Sequence, residues 1–269
     1  MPRYRVSGLL VSQGMDNSHK ISAVVITLNE AANIERCLVS LKDVADEILV
    51  LDSGSTDGTK EKAQALGAQV IDTEWKGYSA TKNHGHALAR YDHIISLDAD
   101  EELDPELIKA VLDVKQKGLI GACRMNRKNF LGRQWVRHSG WYPDRKVRLF
   151  HRDQASWKGD FVHEELHVNQ DVRIVDLNGH LNHYTAATGE QHISTMKKYA
   201  RLNAERYIRE GRSYTLFRSL LQAIASWVRS YVLRMGFLDG MAGWYIAIRS
   251  ARGRIWRYQY FKELQKHNG

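Results

Sequence analysis

Three short polar clusters stand where apolar runs stop, and each holds residue types suited to a charged, phosphate-bearing ligand. They are Thr27-Leu28-Asn29-Glu30, the segment Asp52 to Thr59 (DSGSTDGT) and Asp98-Ala99-Asp100. Two carboxylates at i and i+2 just past a strand can hold a hard divalent cation and the diphosphate it bridges. Asp98 and Asp100 have that spacing, and the rival reading is a solvated acidic turn, because Glu101, Glu102 and Asp104 follow. An EF-hand loop starting at Asp98 is excluded: its sixth position is Leu103 rather than Gly, and its twelfth is Lys109 rather than Glu. The segment around Gly54 and Gly58 fails the GxxxxGK[ST] spacing of a Walker loop, and it lacks the GxGxxG of a dinucleotide site.

A second group of reactive types lies further along. The segment Trp157 to His167 (WKGDFVHEELH) carries three carboxylates, Asp160, Glu164 and Glu165, and matches the HExxH zinc-hydrolase motif. That motif works only on a helix, whereas the flanking residues favour strand and turn. Its extended form also fails, with Gln170 where Gly is needed and Arg173 where the third His is needed. His180 and His183 follow a strand-like run; an imidazole suits manganese-like ions, while carboxylates alone also suit magnesium. Pro143 to Phe150 alternates charged and apolar residues, as a strand with one wet face, and Arg145 or Arg148 could meet a diphosphate or an anionic acceptor. Trp135, Trp141 and Tyr142 lie near loops, where rings stack on sugars or pack a core.

The elements that must position these groups follow from the apolar pattern. Residues 21–28 read as a buried parallel strand, Asn29 and Glu30 open an amphipathic helix reaching Leu41, and Glu47 to Leu51 is a second buried strand. A short helix closed by Gly67, a strand over 68–72, a helix over 77–89 and a strand over 92–97 continue the alternation, and Pro105 starts a helix over 104–117. This rhythm predicts βαβ units and a mostly parallel α/β sheet with ligands at the strand ends. From Gly118 the rhythm changes to strands over 119–131, 145–151 and 171–177, and from Gly189 the pattern is helical to the end.

At this point the chain resembles the glycosyltransferase family 2 pattern on the GT-A fold: VVITLNE, LVLDSGSTDGT, ATKNHG and SLDADE occur in order over roughly residues 20–185. The resemblance implies an inverting transferase that uses a nucleotide-diphospho-sugar, usually a UDP-sugar, and a divalent cation (Mn2+ or Mg2+). It implies that Thr27, Asn29 and Glu30 line the nucleotide pocket and that Asp52 meets the uracil or ribose. Lys82 and Asn83 would sit near base and diphosphate, and Asp98 and Asp100 would span ribose, phosphate and metal. Ser53 stands where many relatives carry a second Asp. The VHE of the 157–167 segment is similar to the acceptor side of relatives, so Glu164 is the expected base, with Glu165 and Asp160 as alternatives. A late histidine implies His183 as third metal ligand, ahead of His180. The segments GWYPDRKVRLF, VHEEL and GFLDG further resemble bacterial lipopolysaccharide core β-1,4-glucosyltransferases. That narrower likeness implies UDP-glucose, a lipid-linked core acceptor and a peripheral place on the inner face of the cytoplasmic membrane.

Composition and charge are consistent with this organisation. The 269 residues include 43% hydrophobic and 26% charged residues, an ordinary globular balance that argues against wholesale disorder. Two cysteines, Cys37 and Cys123, cannot build a disulfide framework and read as reduced core residues. The net charge of +8 is concentrated: residues 201–269 hold 13 Lys and Arg against 4 Asp and Glu, and residues 1–200 hold 26 against 27. Thr215 to Met235 and Trp244 onward read as basic amphipathic helices suited to an anionic membrane surface, or to packing on the catalytic domain. The expected division is a disordered leader over 1–18, with Met15 as an alternative start, a GT-A domain over 19–188 and a basic helical region over 189–269. Two rival classes are a zinc hydrolase using His163 and His167, and a non-catalytic module for anionic lipid or nucleic acid. Neither needs the strand-end motifs, and nucleic acid is not an expected partner.

Overall fold

The run Ile21 to Thr27 is buried at every position and forms the central strand, β1 (Ile21–Thr27). The structure is a computed structural model that describes residues 19–159, 164–186 and 189–267. Helix α1 (Ile34–Leu41) leads to β2 (Glu47–Asp52), α2 (Thr59–Ala65), β3 (Gln69–Asp72), α3 (Tyr78–Leu88) and β4 (His93–Asp98). These four strands are parallel, in the order β3-β2-β1-β4. The first helix begins five residues later than its pattern suggests. Asn29 takes a left-handed φ of 55° and the Asn33 and Ile34 amides both donate to the Glu30 carbonyl, so residues 29–33 form a turn rather than helix. Asn is one of the few side chains that tolerate that conformation.

After the short β5 (Glu101–Leu103), Asp104 caps α4 (Pro105–Lys117) by accepting from the Leu107 amide at 2.9 Å, with Pro105 in the first helical position as the sequence predicts. The second half of the sheet is mixed. Strands β6 (Ala122–Leu131), β7 (Gln134–Trp135), β8 (Asp144–His151) and β11 (Ile174–Ala186) extend it past β4, while β9 (Ala155–Lys158) and β10 (Glu165–Val168) make a separate ribbon. Strand β8 is interior, paired antiparallel to both β4 and β6, so the Arg145–Arg148 segment is not an edge. Strand β11 runs nine residues beyond Leu177 and carries His180 and His183 within it rather than after it. The reason is a bulge: Asp176 pairs with Arg124 and His180 with Asn126, so β11 sets four residues against two of β6. Gly179 sits in that bulge at φ +88°, where a Cβ would lie 2.2 Å from the Leu107 backbone nitrogen.

Two apolar layers cover the sheet. One gathers Ile34, Leu38, Leu107 and Val111 from α1 and α4 against Val25 and Leu97; the other packs Val24, Leu51, Ile94 and Phe150 on the opposite face. Cys37 and Cys123 are both free and buried, as their patterns imply.

The helical region holds α5 (Gly189–Arg209), α6 (Leu216–Val228) and α7 (Met241–His267). The α-helical pattern of 215–235 ends at Val228 and continues as a π-helical turn to Leu233. A 3-10 turn at Gly236–Asp239 makes the expected break. Ala204, Tyr207, Tyr214 and Phe261 form a separate small core. Among the described residues no helix is long and apolar enough to cross a membrane.

Candidate functional site

Parallel register brings the polar clusters to one rim. Thr27 pairs with Asp52 and Ile26 with Asp98, so the ends of β1, β2 and β4 are level. Beyond this rim opens a cleft of about 1050 Å3. Its wall includes Thr27, Glu30, Lys82, Asp98, Asp100, Arg148, Glu164 and His183, with Thr195, Lys198 and Tyr199 of α5 on one side. With Arg145 and Glu165, which line the same cleft, ten of the residues singled out in the sequence converge.

The cleft is organised by buried charge. Lys82 Nζ lies 2.8 Å from Asp98 Oδ1, and Arg148 Nη2 donates to Asp98 Oδ2 at 3.1 Å and to Glu101 Oε1 at 2.5 Å. Arg127 joins by donating to Glu101 at 3.0 Å and pairing with Asp144 at 2.7 Å. Lys82, Glu101 and Arg148 are all essentially sealed from solvent, where an unpaired charge would be prohibitive. Burial alone would raise the Asp98 carboxyl, but the neighbouring Lys82 and Arg148 cations outweigh it and hold Asp98 well below the usual range. Glu101 is lowered in the same way against its burial, chiefly by Arg148. The surrounding cations thus favour the anionic form of both carboxylates. Lys82 is fixed further by Trp157, whose ring centroid is 4.2 Å from Nζ.

Asp100 and His183 form a second pair, with His183 Nε2 at 3.3 Å from Asp100 Oδ2. The other ring nitrogen, Nδ1, lies 2.6 Å from Asn129 Oδ1, while Asn129 Nδ2 donates to the Trp141 carbonyl at 2.8 Å. The amide is therefore oriented with its oxygen toward the ring, Nδ1–H donates to it, and Nε2 faces the Asp100 carboxylate. Two electron-rich atoms facing each other call for a proton or a cation between them. A divalent ion fits that donor set, with the outer imidazole nitrogen held by a second residue as metal-bound histidines usually are. Among the described residues no three His, Cys, Asp or Glu groups form a ready cage. A site of one carboxylate and one imidazole leaves positions for diphosphate oxygens, which is how small hard cations are commonly shared between protein and substrate.

Glu164 precedes β10, is half-buried and lines the same cleft. Burial pushes its carboxyl up to about 7; Lys82 opposes that rise and Asp98 adds to it. A carboxylate with this affinity can accept a proton near neutral pH and release it again. Its neighbour Glu165 is exposed on β10, opposite Lys158. Glu30, at the mouth, is also raised by burial and accepts from Asn33 at 2.6 Å.

Three expected ligands do not line the cleft. Asn29 builds the rim instead: its amide donates to Ser55 Oγ and its side-chain oxygen accepts from the Thr56 amide. Asp52 is fully buried, with Oδ1 accepting from the Gly54 and Ser55 amides, while Oδ2 has no partner among the described residues. Asn83 clamps the Trp157 backbone from both ends of its amide, at 2.9 and 3.0 Å, and so places Trp157 under Lys82. Arg148 does line the cleft, but its guanidinium is engaged by Asp98 and Glu101. His180 points elsewhere, toward Asp104 Oδ2 at 3.4 Å and the Tyr142 hydroxyl at 3.3 Å. Asp160 and His163 lie outside the described residues. His167 is on a strand and exposed, so the half of the HEELH motif that is described is not helical.

Sequence reading missed Glu101, Asn129 and Trp157 as site residues. Glu101 looks like one more acid in a solvated turn. Its only signal is its phase on β5, where Glu101 and Leu103 face inward together. Asn129 has no signal, since its role depends on His183 of the neighbouring strand β11 and on the Trp141 carbonyl in the loop before β8 both meeting it.

Comparison with known proteins matches this architecture. The Glycosyl transferase family 2 model matches residues 22–167. An uncharacterized glycosyltransferase of Rickettsia bellii is 31% identical over 256 residues, covering 91% of this chain and 87% of the relative. The lipopolysaccharide core biosynthesis glycosyltransferase LpsC of Rhizobium meliloti is 25% identical over 241 residues, 83% of this chain and 87% of LpsC. Glucosyl-3-phosphoglycerate synthase of Mycobacterium tuberculosis, solved with Mn2+, UDP and glucosyl-3-phosphoglycerate, is 29% identical over 41% of this chain and 43% of that one. Its TM-score is 0.34, too partial a likeness to bear on substrates. With a GT-A sheet, a strand-end acidic site and matches spanning most of its length, the chain belongs to glycosyltransferase family 2.

Proposed function

We propose that this transferase moves a hexose, in the first instance glucose, from a UDP-sugar to a membrane-associated glycolipid, the heptose of a lipopolysaccharide inner core, with inversion at the anomeric carbon. The observation that carries the reading is Glu164, a carboxyl pushed to about 7 by burial, on the wall of the cleft that also holds Asp98, Asp100 and His183. The sequence likeness to LpsC supports the acceptor class. Thr27 and Glu30 line the cleft, which supports their assignment to the nucleotide, and the buried Asp52 Oδ2, without a partner among the described residues, supports the assignment of Asp52 to the uracil or ribose. Lys82 faces the diphosphate. Arg145, exposed on β8, and Arg124 line the acceptor wall and favour an anionic glycan. Residues 19–188 form the catalytic unit and 189–269 carry it at the inner membrane surface.

In the reaction, Glu164 as carboxylate takes the proton of the acceptor hydroxyl while that oxygen bonds to the sugar C1 from the side opposite UDP. The bond from C1 to the β-phosphate oxygen breaks, and its electron pair leaves with UDP. Asp100 and His183, with Asp98, are the residues that would hold a divalent cation, Mn2+ or Mg2+, which when bound would supply positive charge to the departing diphosphate. Lys82 adds a second, protein-borne cation whose position Asp98 and Trp157 hold beforehand. Asn129 keeps the His183 lone pair available.

Calorimetric titration of UDP into the wild type and Asp100→Ala, with and without manganese, tests the reading. Metal-dependent UDP binding that disappears in the variant is expected, followed by transfer from UDP-glucose to core lipid acceptors. No UDP binding in either metal condition would overturn it.

A further inference from the structure

Helix α6 is built inside out. Its large apolar residues Leu216, Phe217, Leu220, Leu221, Ile224 and Val228 are all exposed, Phe217 at 72% and Ile224 at 64%. They share one face at helical spacing. The opposite face, which packs on α7, uses small residues: Ser219 is 0% exposed and Ala223 6%. Ser219 Oγ donates to the Arg254 carbonyl at 3.0 Å, and Arg254 Nε donates to Ser226 Oγ at 3.0 Å. The sequence pattern alone is compatible with this helix turning its apolar stripe inward; the structure turns it outward. Leu233, Leu238 and Met241, which follow α6 in the chain, are exposed as well, the last at 79%. An apolar surface of this extent on a folded chain marks an interaction site.

Charge selects the occupant. Arg218 and Arg229 flank the face, both exposed and neither paired with an acid among the described residues. Between Arg212 and Lys262 the only acid is Asp239, which is buried and accepts from the His138 amide at 2.7 Å and from His138 Nδ1 at 3.0 Å. A second copy of so basic a face would be repelled, and a nucleic acid would leave the apolar side chains in water. An anionic bilayer surface satisfies both features, and the ring cluster Trp227, Tyr231 and Trp244 beside the face suits the headgroup level. We propose that the outward face of α6, with the turn at 236–239, inserts into the acyl–headgroup boundary of an anionic lipid leaflet, so that attachment is by apolar insertion and not by charge alone. This deepens, and rests for its purpose on, the lipid-linked acceptor proposed above. Asp239 gives the insertion an orientation. In the same turn, Leu238 faces out while Asp239 holds Arg137 and His138 of the catalytic domain. The leaflet is thereby fixed relative to the strand carrying Asn129, whose amide meets the Trp141 carbonyl three residues past His138.

The test is co-sedimentation of the full chain with phosphatidylcholine vesicles with and without phosphatidylglycerol. The wild type should bind the anionic vesicles and keep a residue of that binding at high salt. The double substitution Phe217→Glu with Ile224→Glu should weaken binding at least about tenfold, with an unchanged thermal midpoint, because both side chains are already in water. Phe217→Ser is the milder second variant, with a smaller loss in the same direction. Wild-type failure to bind anionic vesicles, or variants that bind as well as the wild type, would overturn the insertion. So would light scattering that finds a dimer which Phe217→Ser dissociates. UDP titration of the same variants separates the two proposals: intact UDP binding with lost vesicle binding isolates the face. Absent UDP binding in a wild type that still sediments would sink the donor chemistry alone.

Discussion

The strand-end cleft and the outer face of α6 make opposite exceptions to the same rule. In the cleft, Lys82, Glu101 and Arg148 are charged and sealed from water. On α6, Phe217 and Ile224 are apolar and left in it. Neither arrangement is what stability alone would select: a buried ion pair is seldom better than apolar packing, and an exposed apolar stripe contributes nothing to folding. Each becomes sensible only with a second component. In the roles proposed above, the cleft would meet a charged ligand with cations that are already fixed, and the helix would meet a phase less polar than water. The contrast also shows how each exception is supported. The cleft rests on large buried residues such as Phe150 and Leu97, whereas α6 rests on Ser219 and Ala223, which let helices approach closely.

The sharpest way to break the comparison is at Glu164. Replacing it with Gln removes the base while keeping the shape, so turnover should fall about 10²–10⁴-fold with UDP affinity retained. Glu165→Gln should leave turnover near wild type, and the reverse ranking would move the base by one residue. The wild-type kcat/KM should rise with pH through about 7 as Glu164 loses its proton, and that limb should be missing from the variant. A profile flat across that range would mean that Glu164 does not act as the base.

The next effect lies at Asn129, which touches neither nucleotide nor acceptor in the proposed roles. Asn129→Leu removes the acceptor for His183 Nδ1–H and frees the ring to turn. Manganese affinity, measured by titration in the presence of UDP, should weaken about 10–100-fold. Asn129→Asp keeps an acceptor oxygen and should restore much of it. Unchanged affinity in Asn129→Leu would remove His183 from the metal site.

On the other side of the comparison, Ser219→Leu would raise the apolar content of an amphipathic helix, a change usually expected to be harmless. At a position with no exposed surface against the Arg254 carbonyl, the added volume should instead cost about 1–3 kcal/mol in chemical denaturation. Leu221→Ser, on the exposed face, should change stability by under about 0.5 kcal/mol. If the two costs were reversed, α6 would be packed with its apolar face inward.

Much of the catalytic half is legible in sequence because its signals are local. A run such as Ile21 to Thr27 is buried throughout, polar residues follow where the strands stop, and parallel register then levels Thr27, Asp52 and Asp98 without further information. What is not legible depends on contacts between distant segments. Nothing near Asn83 indicates that its amide will hold Trp157, 74 residues away, instead of a nucleotide. The bulge at Gly179 carries β11 on past Leu177 and re-phases both histidines together; on the regular strand beyond it their odd spacing turns His183 to Asp100 and His180 to Asp104, but nothing local shows that the strand continues there. For α6 the periodicity is plain and its direction is not, because an apolar stripe looks the same whether it faces a core or a lipid.

The smallest expected effect joins function to stability at one residue. The Glu164 carboxyl goes from an ordinary value of 4.5 to about 7 on folding, so the folded protein holds that proton more tightly than the unfolded chain does. The stability linked to it is fully present below about pH 4.5 and is lost as pH rises through about 7. Above that, the carboxylate is a standing cost, partly relieved by solvent because the residue is only half-buried, and worth about 1–2 kcal/mol after that screening. Gln does not titrate and carries no such cost. Glu164→Gln should therefore unfold later than the wild type at pH 8, with the gap closing toward pH 4.5, even as turnover falls. An inactive variant with no gain at pH 8 would mean that Glu164 is not desolvated in the folded protein, and the pH limb of turnover would need another group.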